Sequence, residues 1–165
     1  MSGLYPGAPQ VRDVPFSDDV RDLLALADGN AAQLRNEYLG TEHVVLAMTE
    51  HPNAAALLAR LGVAPDRVSA TLHRTVRPGS ATPETEVRRP YTSRTRQSFG
   101  LALQYAQSCG RAEVTIADLL VGLLRERMNV GAQVLQHYGL SEEQAAAELR
   151  EPGGGESSGS ITASP

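Results

Sequence analysis

The stretch NEYLGTEHVVLAM, residues 36–48, decides the fold. Gly40 interrupts the chain and Thr41 follows it, a residue pair that suits a helix start with Thr41 as the cap. Glu42 falls in the first turn, where a carboxylate complements the helix dipole. Val44, Val45, Leu46 and Met48 then form a greasy run, too dense to face water. The segment therefore reads as a short buried helix with a Glu–His pair at its mouth. His43 is expected to hydrogen-bond locally and hold the loop that leads into it.

Working outward, helical periodicity continues on both sides. Upstream, Ser17 is a good N-cap, and Asp18 and Asp19 occupy the first turn behind it. Val20, Leu23, Leu24, Ala27, Ala31 and Leu34 repeat at helical spacing. Downstream, NAAALLARLG stops at Gly62, and Pro65 opens a further helix, a position that Pro tolerates well. These four helices span 16–76.

The same order returns over 91–150. Thr92 caps a helix that ends at Gly110, and Thr115 caps IADLLVGLLRER. VGAQVLQHYG ends at Gly139, and Ser141 with Gln144 makes a capping box. The copies superpose in register: Phe16 on Tyr91, Ser17 on Thr92, Leu26 on Leu101, Ala27 on Ala102. A block of about 60 residues is marginal alone, so the two are expected to pack together. The fold class is all-α: two pseudo-symmetric four-helix repeats forming one domain of about eight helices. The linker over 77–90 is rich in Pro, Gly and charge and reads as exposed. An N-terminal arm (1–15) and a tail (151–165) carry too little apolar surface to order themselves.

Composition agrees and excludes several functions. The chain has 165 residues, 41% hydrophobic but only 4% aromatic, with no Trp. That palette of Leu, Val and Ala favours helix. A net charge of −4 argues against general nucleic-acid binding. All 15 basic residues are Arg, so chemistry that needs a lysine amine is closed. No apolar run reaches the ~20 residues of a membrane span, and the first residues are unlike a secretory signal. A cytoplasmic protein is expected. The single Cys109 lies in an apolar helical stretch and is expected to be a buried structural thiol. The four His residues lack metal-ligand spacing, so neither a metal nor a cofactor is expected. Nothing resembles a nucleophile elbow, and an enzyme is not expected.

The Gly-Thr-Glu-His helix start over 40–43, followed by the apolar run and by Leu61-Gly62-Val63, resembles the repeat in the N-terminal domain of Clp-type unfoldases, closest to the ClpC branch. The resemblance covers about 16–150. It implies a non-enzymatic module that recognises proteins or peptides, namely Clp substrates, adaptors or peptide inhibitors. The sequence holds no phosphate-loop motif, so the chain reads as such a domain without its ATPase modules, an accessory or decoy in regulated proteolysis. ClpC-like domains also bind phosphoarginine. Carried over by position, Glu42 would take the guanidinium, with Thr41 beside it for the phosphate. In the second copy Thr115, Ile116, Ala117 and Asp118 stand at the matching positions. Ala117 has no carboxylate, so that site is expected to be lost. The family's groove for adaptors and peptides would here be edged by Phe16, Tyr91, Arg94 and Arg96. Arg88, Arg89, Arg94 and Arg96 form either a solvated stretch or a surface for an acidic partner. The alternative function is a structural interaction protein whose ligand site has decayed.

Overall fold

The computed structural model describes residues 13–81 and 89–150, the last two without their side chains. Eight helices follow in order: α1 (Asp18–Gln33), α2 (Thr41–Glu50), α3 (Pro52–Arg60), α4 (Pro65–Thr75), α5 (Ser93–Ser108), α6 (Ile116–Arg125), α7 (Val130–His137) and α8 (Glu142–Arg150). Among the described residues, extended pairing is limited to two isolated bridges. The fold is all-α, as expected.

The helix starts follow from side-chain chemistry. Ser17 Oγ accepts the Val20 N–H at 3.3 Å, and Thr92 Oγ1 accepts the Thr95 N–H at 3.2 Å. Ser141 and Gln144 exchange bonds at 2.9 and 3.1 Å. At α2 the expected cap is corrected. Gly40 is the N-cap, and its N–H donates to His43 Nδ1 at 2.9 Å. Thr41 is the first helical residue, and its hydroxyl points across the repeat instead. At α6, the Thr115 N–H donates to Asp118 Oδ2 at 2.9 Å. His43 and Asp118, unlike in type, thus hold the same capping position in the two copies. The helix ends at Gly62, Gly110 and Gly139 take positive φ of 85°, 79° and 94°. Arg35 stands where copy two has Gly110, yet it also has φ 58°.

The two copies lock together reciprocally. Phe16 bridges to Val114, and Leu39 bridges to Tyr91. Shifting one bridge by the repeat length gives the other, so each copy's lead into its first helix pairs with the other copy's lead into its second. Ser17 N–H donates to Val114 O at 3.0 Å, and Thr92 N–H donates to Leu39 O at 3.1 Å. Packing extends the seam: α2 lies on α7, α4 on α7 and α3 on α6. Leu23, Leu46, Leu58, Leu72, Phe99, Leu119 and Leu123 are essentially water-free in a core that runs through both copies. Each such side chain contributes about 1.5–3 kcal/mol by leaving water.

Four expectations fall differently. Val14, assigned to the N-terminal arm, is 7% exposed and belongs to the core, because Pro15 O accepts the Val114 N–H at 2.8 Å and ties the segment down. The linker is anchored at its described ends: Gly79 N–H donates to Leu34 O at 2.8 Å and Ala81 N–H to Arg35 O at 2.9 Å. Arg89 is buried rather than solvated. Cys109 is exposed. It follows the last turn of α5, and the left-handed Gly110 turn lifts it off the apolar stripe that ends at Ala106. Residues 1–12, 82–88 and 151–165, including Arg88, lie outside the described residues.

Candidate recognition surface

Glu42 sits at the amino end of α2, directly after the Leu39–Tyr91 bridge. It is half-buried. Its carboxylate folds back over Gly40: a Cβ at that glycine would meet Glu42 Oε1 at 2.5 Å. The open space above Gly40 is therefore what lets the carboxylate lie there. Tyr38 Oη donates to Glu42 Oε2 at 3.3 Å, and the Tyr38 side chain is otherwise 38% exposed. Burial, and then the Glu42 charge, push the Tyr38 phenol above its ordinary 10.0, so it stays a proton donor to the carboxylate. A carboxylate beside an exposed aromatic face is suited to a planar cation such as guanidinium.

Thr41 does not share this surface. It is 3% exposed, and its Oγ1 accepts the Gly131 N–H of α7 at 3.2 Å. The hydroxyl is turned inward to join the repeats and is not presented to a phosphate. His43 is fully buried, with Nε2 2.8 Å from Asn36 Oδ1. Because Nδ1 accepts the Gly40 N–H, Nε2 is the protonated nitrogen and donates to Asn36. At the equivalent place in copy two, Ala117 is partly buried and lends no charge.

The expected groove divides. Phe16 and Tyr91 flank Phe99 edge-on, with ring centroids 5.2 and 5.0 Å away. Both line a cavity of 590 Å³ between α1 and the strip before α5, together with Val14, Leu24 and Leu39. Arg94 and Arg96 are not on it. Arg94 Nη1 reaches Glu126 Oε2 at 2.9 Å, and Arg96 Nη1 folds back onto Tyr91 O at 2.6 Å. The cations that do line the cavity are Arg21 and Arg89, and Arg89 is the buried one. Its Nε donates to Asn36 O at 3.0 Å and its Nη1 to Asp28 Oδ2 at 3.3 Å, while Nη2 is buried without a partner. A buried orphan donor costs about 1–3 kcal/mol. The sequence left Arg89 in either a solvated stretch or a surface for an acidic partner, and nothing in its neighbours signalled burial. The signal was in α1, where Asp28 extends the face of Leu24.

Among the described residues one group brings metal-ligating atoms together: Asp19, Asp22 and His51 offer atoms within 4.8 Å of one another. His51 Nδ1 accepts the Asn53 N–H at 3.2 Å. That bond leaves a proton, and no lone pair, on Nε2, so the ring is set up to donate rather than to ligate.

Fold and seam together define an all-α double-repeat domain with its concave surface where the repeats meet. The family model described as Clp repeat (R) N-terminal domain matches residues 15–138, and the chain belongs to that family. It is 28% identical over 150 residues to the negative regulator of genetic competence ClpC/MecB of Bacillus subtilis (strain 168), covering 90% of this chain and 18% of that protein. It is 27% identical over 136 residues to the chaperone protein ClpB of Oceanobacillus iheyensis, covering 81% of this chain and 16% of that one. The chain thus spans less than a fifth of the length of these relatives. The N-domain of ClpV from Vibrio cholerae superposes with a TM-score of 0.75 at 12% identity, covering 90% of this chain and 92% of that one. A complex of the ClpV N-domain with a VipB peptide gives 0.69 at 12% identity, covering 88% and 92%. At such identities the likeness is one of fold. Among the described residues no helix is long and apolar enough to cross a membrane.

Proposed function

We propose that the chain is a non-enzymatic recognition module that captures proteins or peptides, and that its first repeat takes a phosphoarginine-type guanidinium at Glu42. The carrying observation is the half-buried Glu42 carboxylate, draped over Gly40 beside the exposed Tyr38 ring. The ClpV N-domain complex with a VipB peptide supports the broader part of the reading. The cavity lined by Phe16 and Tyr91 gives an apolar place for the rest of a bound segment. The 165 residues contain no lysine for a phosphate loop, so any ATPase that acts on captured cargo is supplied from outside them. The module then serves as an accessory or decoy in regulated proteolysis, in the cytoplasm.

Calorimetric titration with free phosphoarginine tests the site. One ligand per chain is expected, because Ala117 replaces the second carboxylate. Glu42→Ala should abolish the heat, and unchanged binding in that variant would remove the site. A second reading, a structural interaction protein with a decayed ligand site, is favoured by the inward-turned Thr41 hydroxyl. Absence of heat in the wild type decides for it.

A further inference from the structure

A second cavity, of 890 Å³, opens on the other side of α1, against the junction of α2 and α3. Its carboxylates are Asp19 and Asp22 from α1 and Glu50 from the end of α2, and no Arg lines it. Among the described residues no arginine pairs with any of the three, although arginines pair with carboxylates elsewhere on the surface. Asp19 Oδ2 accepts from Asn53 Nδ2 at 2.9 Å, and Glu50 Oε1 accepts from Asn30 Nδ2 at 3.2 Å. These are neutral donors, so the charge remains uncompensated. Leu26, 39% exposed, gives the same cavity an apolar side.

The second, independent feature is His51. It is 6% exposed and lines the cavity. Its Nδ1 is taken by the Asn53 N–H, so Nε2 carries the proton. Asp19 Oδ1 stands 3.9 Å from Nε2, too far for a hydrogen bond. Among the described residues Nε2 thus has Asp19 in ion-pair range but no hydrogen-bond acceptor, and the ring lines the cavity. A bare metal ion would not answer this arrangement, because it needs the lone pair that Nε2 lacks. A peptide residue with a cationic side chain answers both halves: the cation meets Asp19 and Asp22, and the residue's backbone carbonyl accepts from His51.

We propose that this cavity docks a basic peptide segment, with an arginine or lysine side chain on Asp19 and Asp22, its carbonyl on His51 Nε2–H, and an aliphatic neighbour against Leu26. The site is separate from Glu42 and does not depend on it.

The test uses fluorescein-labelled peptides of the pattern Leu-Xaa-Leu-Xaa, with Xaa as Arg, Lys or Glu, titrated into the full chain and read by anisotropy. The Arg or Lys peptide should bind saturably, with amide shifts in an NMR spectrum confined to Ala25, Leu26, Gly29, Glu50, His51 and Asn53. The Glu peptide should not bind. Asp19→Asn with Asp22→Asn should weaken the basic peptide about tenfold, the loss expected of charge-assisted bonds. Leu26→Gln, which leaves the charges in place, should weaken it by a smaller factor. Glu42→Ala should bind the basic peptide as the wild type does, so failure at Glu42 and failure here are read separately. Equal binding of the Glu peptide, an unaltered affinity in the double variant, or no saturable binding of either basic peptide overturns the proposal.

Discussion

Thr41 Oγ1 accepts the backbone N–H of Gly131 at 3.2 Å, across 90 residues of sequence. The contact demands glycine. A Cβ at position 131 would stand 2.6 Å from Val45 Cγ2 and 2.7 Å from Thr41 O. One of these is backbone at the start of α2, so a side chain forces the two repeats apart. Gly131→Ala should cost about 2–3 kcal/mol, read as a lower denaturant midpoint. The variant should also weaken any ligand held at Glu42, because α2 starts at this contact. A midpoint within error of wild type would show that the seam is looser than the geometry says.

His43 makes stability depend on pH. Burial pulls its pKa below the ordinary 6.5; Glu42 opposes this, Arg89 reinforces it and Asp28 opposes it. The unfolded chain therefore binds a proton more readily than the folded one. The contribution of neutral His43 is complete above about pH 6.5 and is lost as pH falls through the lower folded value. The slope in that window approaches 1.4 kcal/mol per pH unit. His43→Asn keeps an oxygen for the Gly40 N–H, as Asp118 does for Thr115, and removes the titration. Urea unfolding between pH 5 and 7.5 should show a flatter dependence for that variant than for the wild type.

Arg35 closes α1 with φ 58°, where copy two uses Gly110 with φ 79°. A non-glycine residue in this region costs about 1 kcal/mol. Its guanidinium Nε recovers part of that by donating to Ala81 O at 3.0 Å, in an exposed bond. Arg35→Gly should therefore leave stability unchanged or raise it, by up to about 1 kcal/mol, in thermal unfolding. A clear loss would mean that the Ala81 contact anchors the linker more firmly than an exposed bond ordinarily does.

The helices were legible because their signals are local. Ser17, Thr92, Ser141 and the glycines at 62, 110 and 139 act within a turn of their own position, and the apolar spacing of α1 and α5 needs no partner to be seen. The Gly-Thr-Glu-His start was read correctly as a helix start, but its chemistry was not local. Thr41 binds a residue of α7, and Gly40 is the cap, its N–H taken by His43. Copy two's Asp118 looked like a lost motif and is the same cap with a different acceptor. Arg89 was illegible for the same reason. Its environment comes from Asp28 and Asn36, far back in the chain, while its own neighbours read as linker. Cys109 misled because the periodic stripe was extended one step past the last turn of α5.

The central claim is that the first repeat, and not the second, holds the ligand. A two-dimensional NMR titration of the full chain with phosphoarginine addresses it most directly. Saturable shifts centred on Tyr38, Gly40 and Glu42, none at residues 115–118, and their disappearance in Glu42→Ala are the expected result. Shifts centred on 115–118, or a spectrum that phosphoarginine does not move, would contradict it.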